Sequence, residues 1–328
     1  MGGGRSAVGQ ALERELPMEK DEPKLYEVVI VGGGPAGLTA AVYAARKGLR
    51  TALVTKFIGG QTVWTARVEN YMGFHMISSE DLIGKFQEQV EEYPIEQLIG
   101  KTVSKISSEG VNFAVEVEDD DTLHTKSVIV ATGKRPKRLG VPNEAELVGR
   151  GVSYCATCDA PFFKGRDVAV IGAGNTAIGS ALDLLRIAGQ VHIVAHEVTA
   201  DQVLLDGLTG KPNLTIHEGY GVTKIEGEGK VGGMTIAKRE GKEEQSISVE
   251  GVFIEIGWVP NTELVKDFLK LNEKSEIVID SNCETSAPGV FAAGDVTSIP
   301  HKQVVVAAGE GAKAALAATE FLKHRKEQ

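Results

Sequence analysis

Two stretches of this chain share one hydrophobic pattern. Val28-Val29-Ile30-Val31 is apolar at every position, as in a strand buried on both faces. Gly32, Gly33, Gly34 and Gly37 follow, and Leu38 to Lys47 then reads as an Ala-rich helix ended by Gly48. Thr51-Ala52-Leu53-Val54 is the next strand and closes a βαβ unit. The pattern returns about 140 residues later. There Val168–Ile171 is a strand, Gly172 to Ala177 a turn, Ile178 to Ile187 a helix and Val191–Val194 the partner strand. Polar-alternating strands are predicted at Val111–Val117, Leu214–His217 and Ile247–Ile256, and a long Ala-rich helix from Val304 to Lys323. Residues 1–24 are Gly-rich, then charged, without an apolar period, which predicts a flexible extension. The fold class is therefore α/β with two Rossmann-like units.

Length and charge narrow the function. A chain of 328 residues suits two domains. Thirty-five Lys and Arg against 45 Asp and Glu leave a net charge of −10, which argues against a nucleic-acid partner. It does not argue against an anionic cofactor, because helix-start N–H groups hold phosphate without basic side chains. Three cysteines are too few for a disulfide-rich secreted framework. The first ten residues have no apolar core of a signal peptide. The uncharged stretch Val28 to Ala45 approaches the length of a membrane span, but its glycines and Pro35 favour strand, turn and helix. A cytoplasmic enzyme without membrane attachment is expected.

The first glycine motif is Gly32-x-Gly34-x-x-Gly37. The first Gly permits a tight turn, the second lets a pyrophosphate approach the backbone, and the third lets helix and strand pack closely. No Asp or Glu occurs from Val28 to Val68, so the usual ribose-binding acid is absent and Thr55 or backbone must serve. The second motif is Gly172-x-Gly174-x-x-Ala177, enclosing Asn175 and Thr176. Its alternative is a turn kept for packing. No Lys or Arg stands between Arg186 and Lys211, while Glu197 follows the second strand. A 2′-phosphate needs a cation there and a bare 2′-hydroxyl an acid, so NADH is favoured over NADPH.

Cys155-Ala156-Thr157-Cys158 is a CxxC. A zinc site would need two more ligands at suitable spacing. Only Cys283 remains, and the pair His192 and His196 is distant in sequence. A redox dithiol is the better reading, and no metal is expected. Asp159 follows directly and is placed to carry a proton to or from a departing thiolate, unless it is simply a solvated turn acid. Cys283 is assigned no role.

These motifs, in this order, resemble the low-molecular-weight thioredoxin reductase family, the class II flavin disulfide reductases. The likeness runs from about Tyr26 onward, through Val31–Gly37, Gly59-Gly60-Gln61, Val68–Tyr71, Ala131-Thr132-Gly133, Cys155–Asp159, Gly172–Ala177, Gly257–Asn261 and Gly289–Asp295. Ala200–Leu204, Cys283–Thr285 and Gly309–Lys313 look more like the flavoprotein subunit of alkyl hydroperoxide reductase. The resemblance implies FAD on the first unit. Gly32, Gly34, Pro35, Ala36 and Gly37 would hold its pyrophosphate, with Thr55 nearby. Gly60, Gln61 and Asn70 would approach the ring or ribityl, and Ala131, Thr132 and Gly133 the adenosine side. Gly294 and Asp295 would meet the ribityl or phosphate side, and Lys302, Gln303 and Val304 would lie beside the flavin. Gly172, Gly174, Asn175, Thr176, Ala177, Glu197 and Gly257 would hold the nicotinamide dinucleotide.

It also implies two three-layer ββα dinucleotide-binding domains, the second inserted into the first. Residues 25–133 and 262–328 would form the discontinuous FAD domain, and 134–261 the domain carrying the CxxC. Electrons would pass from a donor through FAD to Cys155 and Cys158, with Cys158 on the flavin side and Asp159 managing the proton. The acceptor would be a thioredoxin- or glutaredoxin-like protein, and the enzyme a homodimer whose smaller domain rotates. The thioredoxin reductases that use NADPH carry an Arg-rich loop after the second unit's second strand, which this chain lacks. Ferredoxin or a deazaflavin is therefore an alternative donor, and an NADH oxidase or a flavin-binding sensor an alternative function.

Overall fold

The computed structural model describes residues 24–65, 67–238 and 244–326. Almost all of the predicted N-terminal extension, residues 1–23, lies outside them. The central strands are β1 (Val28–Gly33), β2 (Thr51–Ile58), β3 (Glu96–Ile99), β4 (Val128–Val130), β5 (Val152–Ser153), β6 (Val168–Ile171), β7 (Val191–Ala195), β8 (Leu214–Glu218), β9 (Gly251–Ile254) and β10 (Val290–Ala292). The helices that matter for the site are α1 (Pro35–Arg46), α2 (Ser79–Glu91), α3 (Ala156–Asp159), α4 (Asn175–Leu184) and α5 (Val304–Lys326).

One parallel sheet has the order β10-β4-β1-β2-β3, and a second the order β5-β9-β6-β7-β8. The all-apolar runs sit at the middle of each. In β1, Val28 and Ile30 pack towards α1 and α5, while Val29 and Val31 pack on the other face with Phe113 and Val115. In β6, Val168 and Val170 join one core and Ala169 and Ile171 another. A strand with a core on both faces has no use for polar alternation, hence its uniform sequence.

Antiparallel strands cover the outer faces: Val103–Glu109, Asn112–Val117 and Leu123–Thr125 on the first unit, and Tyr220–Glu226, Gly233–Lys238 and Glu244–Ile247 on the second. All the strands of the second unit fall between β4 and β10, which are neighbours in the first sheet. The two crossings run as one antiparallel ribbon, Lys134–Pro136 against Trp258–Pro260.

Two local expectations are corrected, and one helix is new. Both glycine-turn helices begin earlier than their apolar pattern, at Pro35 and Asn175, because Gly34 and Gly174 are themselves the N-caps. The strand expected over Ile247–Ile256 is two strands, Glu244–Ile247 and β9, lying in different sheets. A helix not anticipated, α2, starts where the Ser78 side chain accepts from the Asp81 N–H, with Glu80 and Asp81 in its first turn.

Candidate active site

A cavity of about 860 Å³ is walled by the first glycine turn and also by Cys155, Cys158 and Asp159. At the turn, Gly32 has φ +115°, and a Cβ on it would lie 2.3 Å from the Ala131 carbonyl. A Cβ on Gly37 would lie 1.8 Å from the Gly32 carbonyl, so both positions require glycine. Helix α1 starts at Pro35 with no side-chain cap and no acid in its first turn. Its positive end therefore faces the cavity without a competing carboxylate, which suits a pyrophosphate. Gly60 packs across this turn, where a Cβ would come within 3.1 Å of Gly34 Cα.

Thr55 lines the cavity as well. It accepts from the Gly33 N–H at 2.9 Å and donates to the Phe57 carbonyl at 2.8 Å. It thereby braces the turn.

Other sequence candidates converge on the same cavity. Asn70 donates to Gln303 Oε1 at 3.0 Å, and Gln61 donates to the Lys134 carbonyl at 2.7 Å. Ala131, Thr132, Gly133, Gly294, Asp295, Lys302 and Val304 also line it. Thr132 and Asn261 exchange two hydrogen bonds at 2.8 Å, joining the ends of the first and second units. Lys302 pairs with Glu276 at 3.2 Å and donates to the Thr297 carbonyl.

Lys134 was not singled out in the sequence. Its ammonium sits 3.6 Å from Asp295 and 4.3 Å from the centre of the Trp258 ring. Burial lowers its pKa and raises that of Asp295, and each charge partly offsets the penalty on the other. Trp64, Tyr154 and Trp258 form an aromatic row beside the cysteines, with centroids 6.5 and 6.4 Å apart.

Cys155 and Cys158 are joined in a disulfide. Cys155 is the N-cap of α3, so Asp159 lies one turn on, its N–H donating to the Cys155 carbonyl at 3.1 Å. Its carboxylate accepts from Thr65 Oγ1 at 2.5 Å and from Ser153 Oγ at 2.7 Å. Burial raises the pKa of Asp159, with those two hydrogen bonds acting against it. Asp159 is thus no solvated turn acid, being only 9% exposed. Ser153 also accepts from the Cys155 N–H at 3.0 Å, tying acid and cysteine together. A smaller cavity of about 310 Å³, walled by Arg67, Arg150, Arg166 and Lys230, lies on the other side of Ser153 and Asp159.

The second glycine turn is built like the first but does not wall the large cavity. Gly172 has φ +120°, and a Cβ there would lie 2.5 Å from the Glu255 carbonyl, whereas one on Gly174 would meet open space. Ala177 is buried and Thr176 exposed. Asn175 and Asp201 exchange hydrogen bonds at 2.7 and 2.8 Å, folding the loop after β7 back onto the turn. Glu197 is exposed on that loop, and Gly257 has φ +107° where the chain leaves the sheet. Among the described residues no group of three or more His, Cys, Asp or Glu side chains is placed to hold a metal. His192 instead contacts His217, Nδ1 to Nε2, at 3.1 Å. No described helix is long and apolar enough to cross a membrane.

Residues 26–311 match the family described as Pyridine nucleotide-disulphide oxidoreductase. The chain is 39% identical over 321 residues to the F subunit of alkyl hydroperoxide reductase from Escherichia coli (strain K12), covering 96% of this chain and 62% of that protein. It is 40% identical over 299 residues to a protein named NADH dehydrogenase from Bacillus subtilis (strain 168), covering 90% of this chain and 58% of that one. It spans about three-fifths of these relatives' length. Thioredoxin reductase from Streptococcus pyogenes MGAS5005 superposes with a TM-score of 0.87 at 35% identity, over 92% of this chain and 99% of that one.

Proposed function

This chain belongs to the pyridine nucleotide-disulphide oxidoreductase family, and from that premise we propose that it is an FAD-dependent disulfide reductase of the thioredoxin reductase type. One observation carries the reading: the Cys155–Cys158 disulfide and the first glycine turn wall the same cavity. We assign FAD to that cavity, its pyrophosphate at Gly32–Gly37 and the start of α1, and its ring near Gln61, Asn70, Gln303 and Val304. Bound there, FAD supplies two-electron transfer between a donor and the disulfide.

The protein does the rest. Reduction breaks the Cys155–Cys158 bond and takes up two electrons and two protons. Asp159, held by Thr65 and Ser153, is the group placed to pass a proton at the sulfurs. One cysteine thiolate then attacks a disulfide of a thioredoxin- or glutaredoxin-like protein. A mixed disulfide forms and one partner sulfur leaves. The second cysteine then closes the ring and releases the other partner sulfur, so one disulfide is made and one is broken.

NADH is the favoured donor. The second turn is intact, the loop Ala195–Asp201 offers no Lys or Arg to a 2′-phosphate, and a relative carries the name NADH dehydrogenase. That turn lies away from the FAD cavity, so donor and dithiol would take turns there through rotation about the Lys134–Pro136 and Trp258–Pro260 ribbon. Residues 134–261 are taken as the rotating domain, 25–133 and 262–328 as the FAD domain, and the enzyme as a homodimer.

The test is an anaerobic titration of the purified flavoprotein with NADH and NADPH in parallel, and dithionite as the control. Bleaching of the visible band by NADH with little by NADPH is expected. Bleaching by dithionite alone would overturn the nicotinamide reading and turn the search to ferredoxin or a deazaflavin.

A further inference from the structure

A second, half-buried carboxyl group touches the helix that carries the cysteines. Glu255 follows β9 and reaches between α3 and α4. Its Oε1 accepts from Ser180 Oγ at 3.0 Å and from the Ala156 N–H at 3.4 Å. Ala156 directly follows Cys155, the N-cap of α3. The helix is thus bracketed: Asp159, anchored to Thr65 and Ser153, and Glu255, anchored to α4. Sequence motifs gave no hint of it, since it lies 99 residues from Ala156.

We propose that Glu255 is a positioning residue that sets the acidity of the Cys155 thiol and hence the redox poise of the dithiol. The inference rests on Cys155 and Cys158 being the exchanging pair. A thiolate on a residue that begins a helix is stabilised by the N–H groups that follow it. Here the first of those N–H groups is turned toward a carboxylate. A negative charge at that place opposes a second one on Cys155 and withholds a donor from it. The thiol is held less acidic, the reduced form is less favoured, and the couple becomes a stronger reductant. That is the sense a reductase needs.

The charged state of Glu255 is itself balanced. Burial raises its pKa, while Ser180, the Ala156 N–H and the more distant Lys134 ammonium favour the ionised form. Among the described residues, Lys134 is the one charged side chain from a neighbouring element that acts on it. The Ser180 hydroxyl is thus one of the donors that favour the ionised form.

The test uses the FAD-loaded protein in a Cys158→Ser background, where Cys155 is the reactive thiol and Cys283 is buried. The rate of iodoacetamide alkylation is followed by mass spectrometry against pH, with and without Glu255→Gln. Glutamine keeps both acceptor contacts and drops the charge, so a merely structural tie between α3 and α4 would leave the profile in place. The expected result is a midpoint lowered by about one pH unit. With both cysteines present, the equilibrium in a glutathione buffer should move towards the dithiol by up to about tenfold, or roughly 30 mV. An unchanged midpoint in Glu255→Gln overturns the proposal. If that variant does not fold, Glu255→Ala, which also removes the charge, decides: a lowered midpoint supports the proposal and an unmoved one overturns it. None of these readouts needs an electron donor or a protein partner, so their failure is distinct from failure of the reductase reading.

Discussion

Thr65 Oγ1 donates to Asp159 Oδ1 at 2.5 Å, and the two residues stand 94 positions apart. Thr65 follows the first glycine unit, and Asp159 ends the helix of the cysteines. This one contact ties the acid of the cysteine-bearing helix to the wall of the large cavity. Thr65→Val should break it with little change in volume. We expect slower reduction of the disulfide while donor-dependent bleaching persists, read by stopped-flow absorbance.

Asp159→Asn removes the proposed proton carrier but keeps the shape. Partner reduction should fall by about 10²-fold or more. Burial raises the pKa of Asp159, so its carboxyl stays protonated to higher pH than an ordinary one. If the protonated form delivers the proton, the rate of dithiol formation falls as pH rises through that raised midpoint. This limb should vanish in the variant. A pH profile of the half-reaction that is identical in parent and variant would sink the assignment.

Cys158→Ser separates disulfide reduction from oxidase chemistry. Thioredoxin-coupled turnover should disappear, while bleaching of the flavin by its donor survives. Retained partner reduction would mean that the CxxC is not the route.

Gly37→Ala tests the cradle. The added Cβ meets the Gly32 carbonyl at 1.8 Å, so strand and helix must separate. We expect a loss of about 1–3 kcal/mol in stability and weakened FAD retention, seen as a lower Tm and reduced visible absorbance.

Cys283 is buried, and its thiol donates to Glu310 Oε2 at 3.1 Å, next to Lys313. Burial and Glu310 push its pKa up to about 12. It should resist alkylation at about pH 8 in the native protein, where a thiol so raised carries almost no thiolate, and react only once denaturant is added. Rapid labelling of Cys283 under native conditions would contradict the packing.

What could be read from sequence was chemistry held in consecutive residues. The first glycine turn, the CxxC with Asp159 and the uniformly apolar strands each need only their neighbours to make sense. The partners of those groups could not be read that way. Ser153 and Thr65 on Asp159, Lys134 beside Asp295, and Glu255 under Ala156 are set by the meeting of distant elements. A hydroxyl or a carboxyl carries no periodic signature of its destination. Ile247–Ile256 looked like one strand because Val249 stays buried as the chain crosses between sheets. The tie of Asp201 to Asn175 in the second turn, 26 positions away, is of the same kind.

The ribbon at the two crossings has a consequence for how such a chain can be rearranged. Asn261 N–H donates to the Gly133 carbonyl at 3.0 Å, so the chain leaves the first sheet and returns to it at nearly one point. Joining residue 133 to residue 261 would take almost no linker, and the first sheet would be interrupted nowhere else. In strand order the second sheet is thus inserted whole between two neighbouring strands of the first. A gene lacking its codons would encode a shorter protein with an intact five-stranded sheet, and a foreign unit with close-set ends could be spliced in its place.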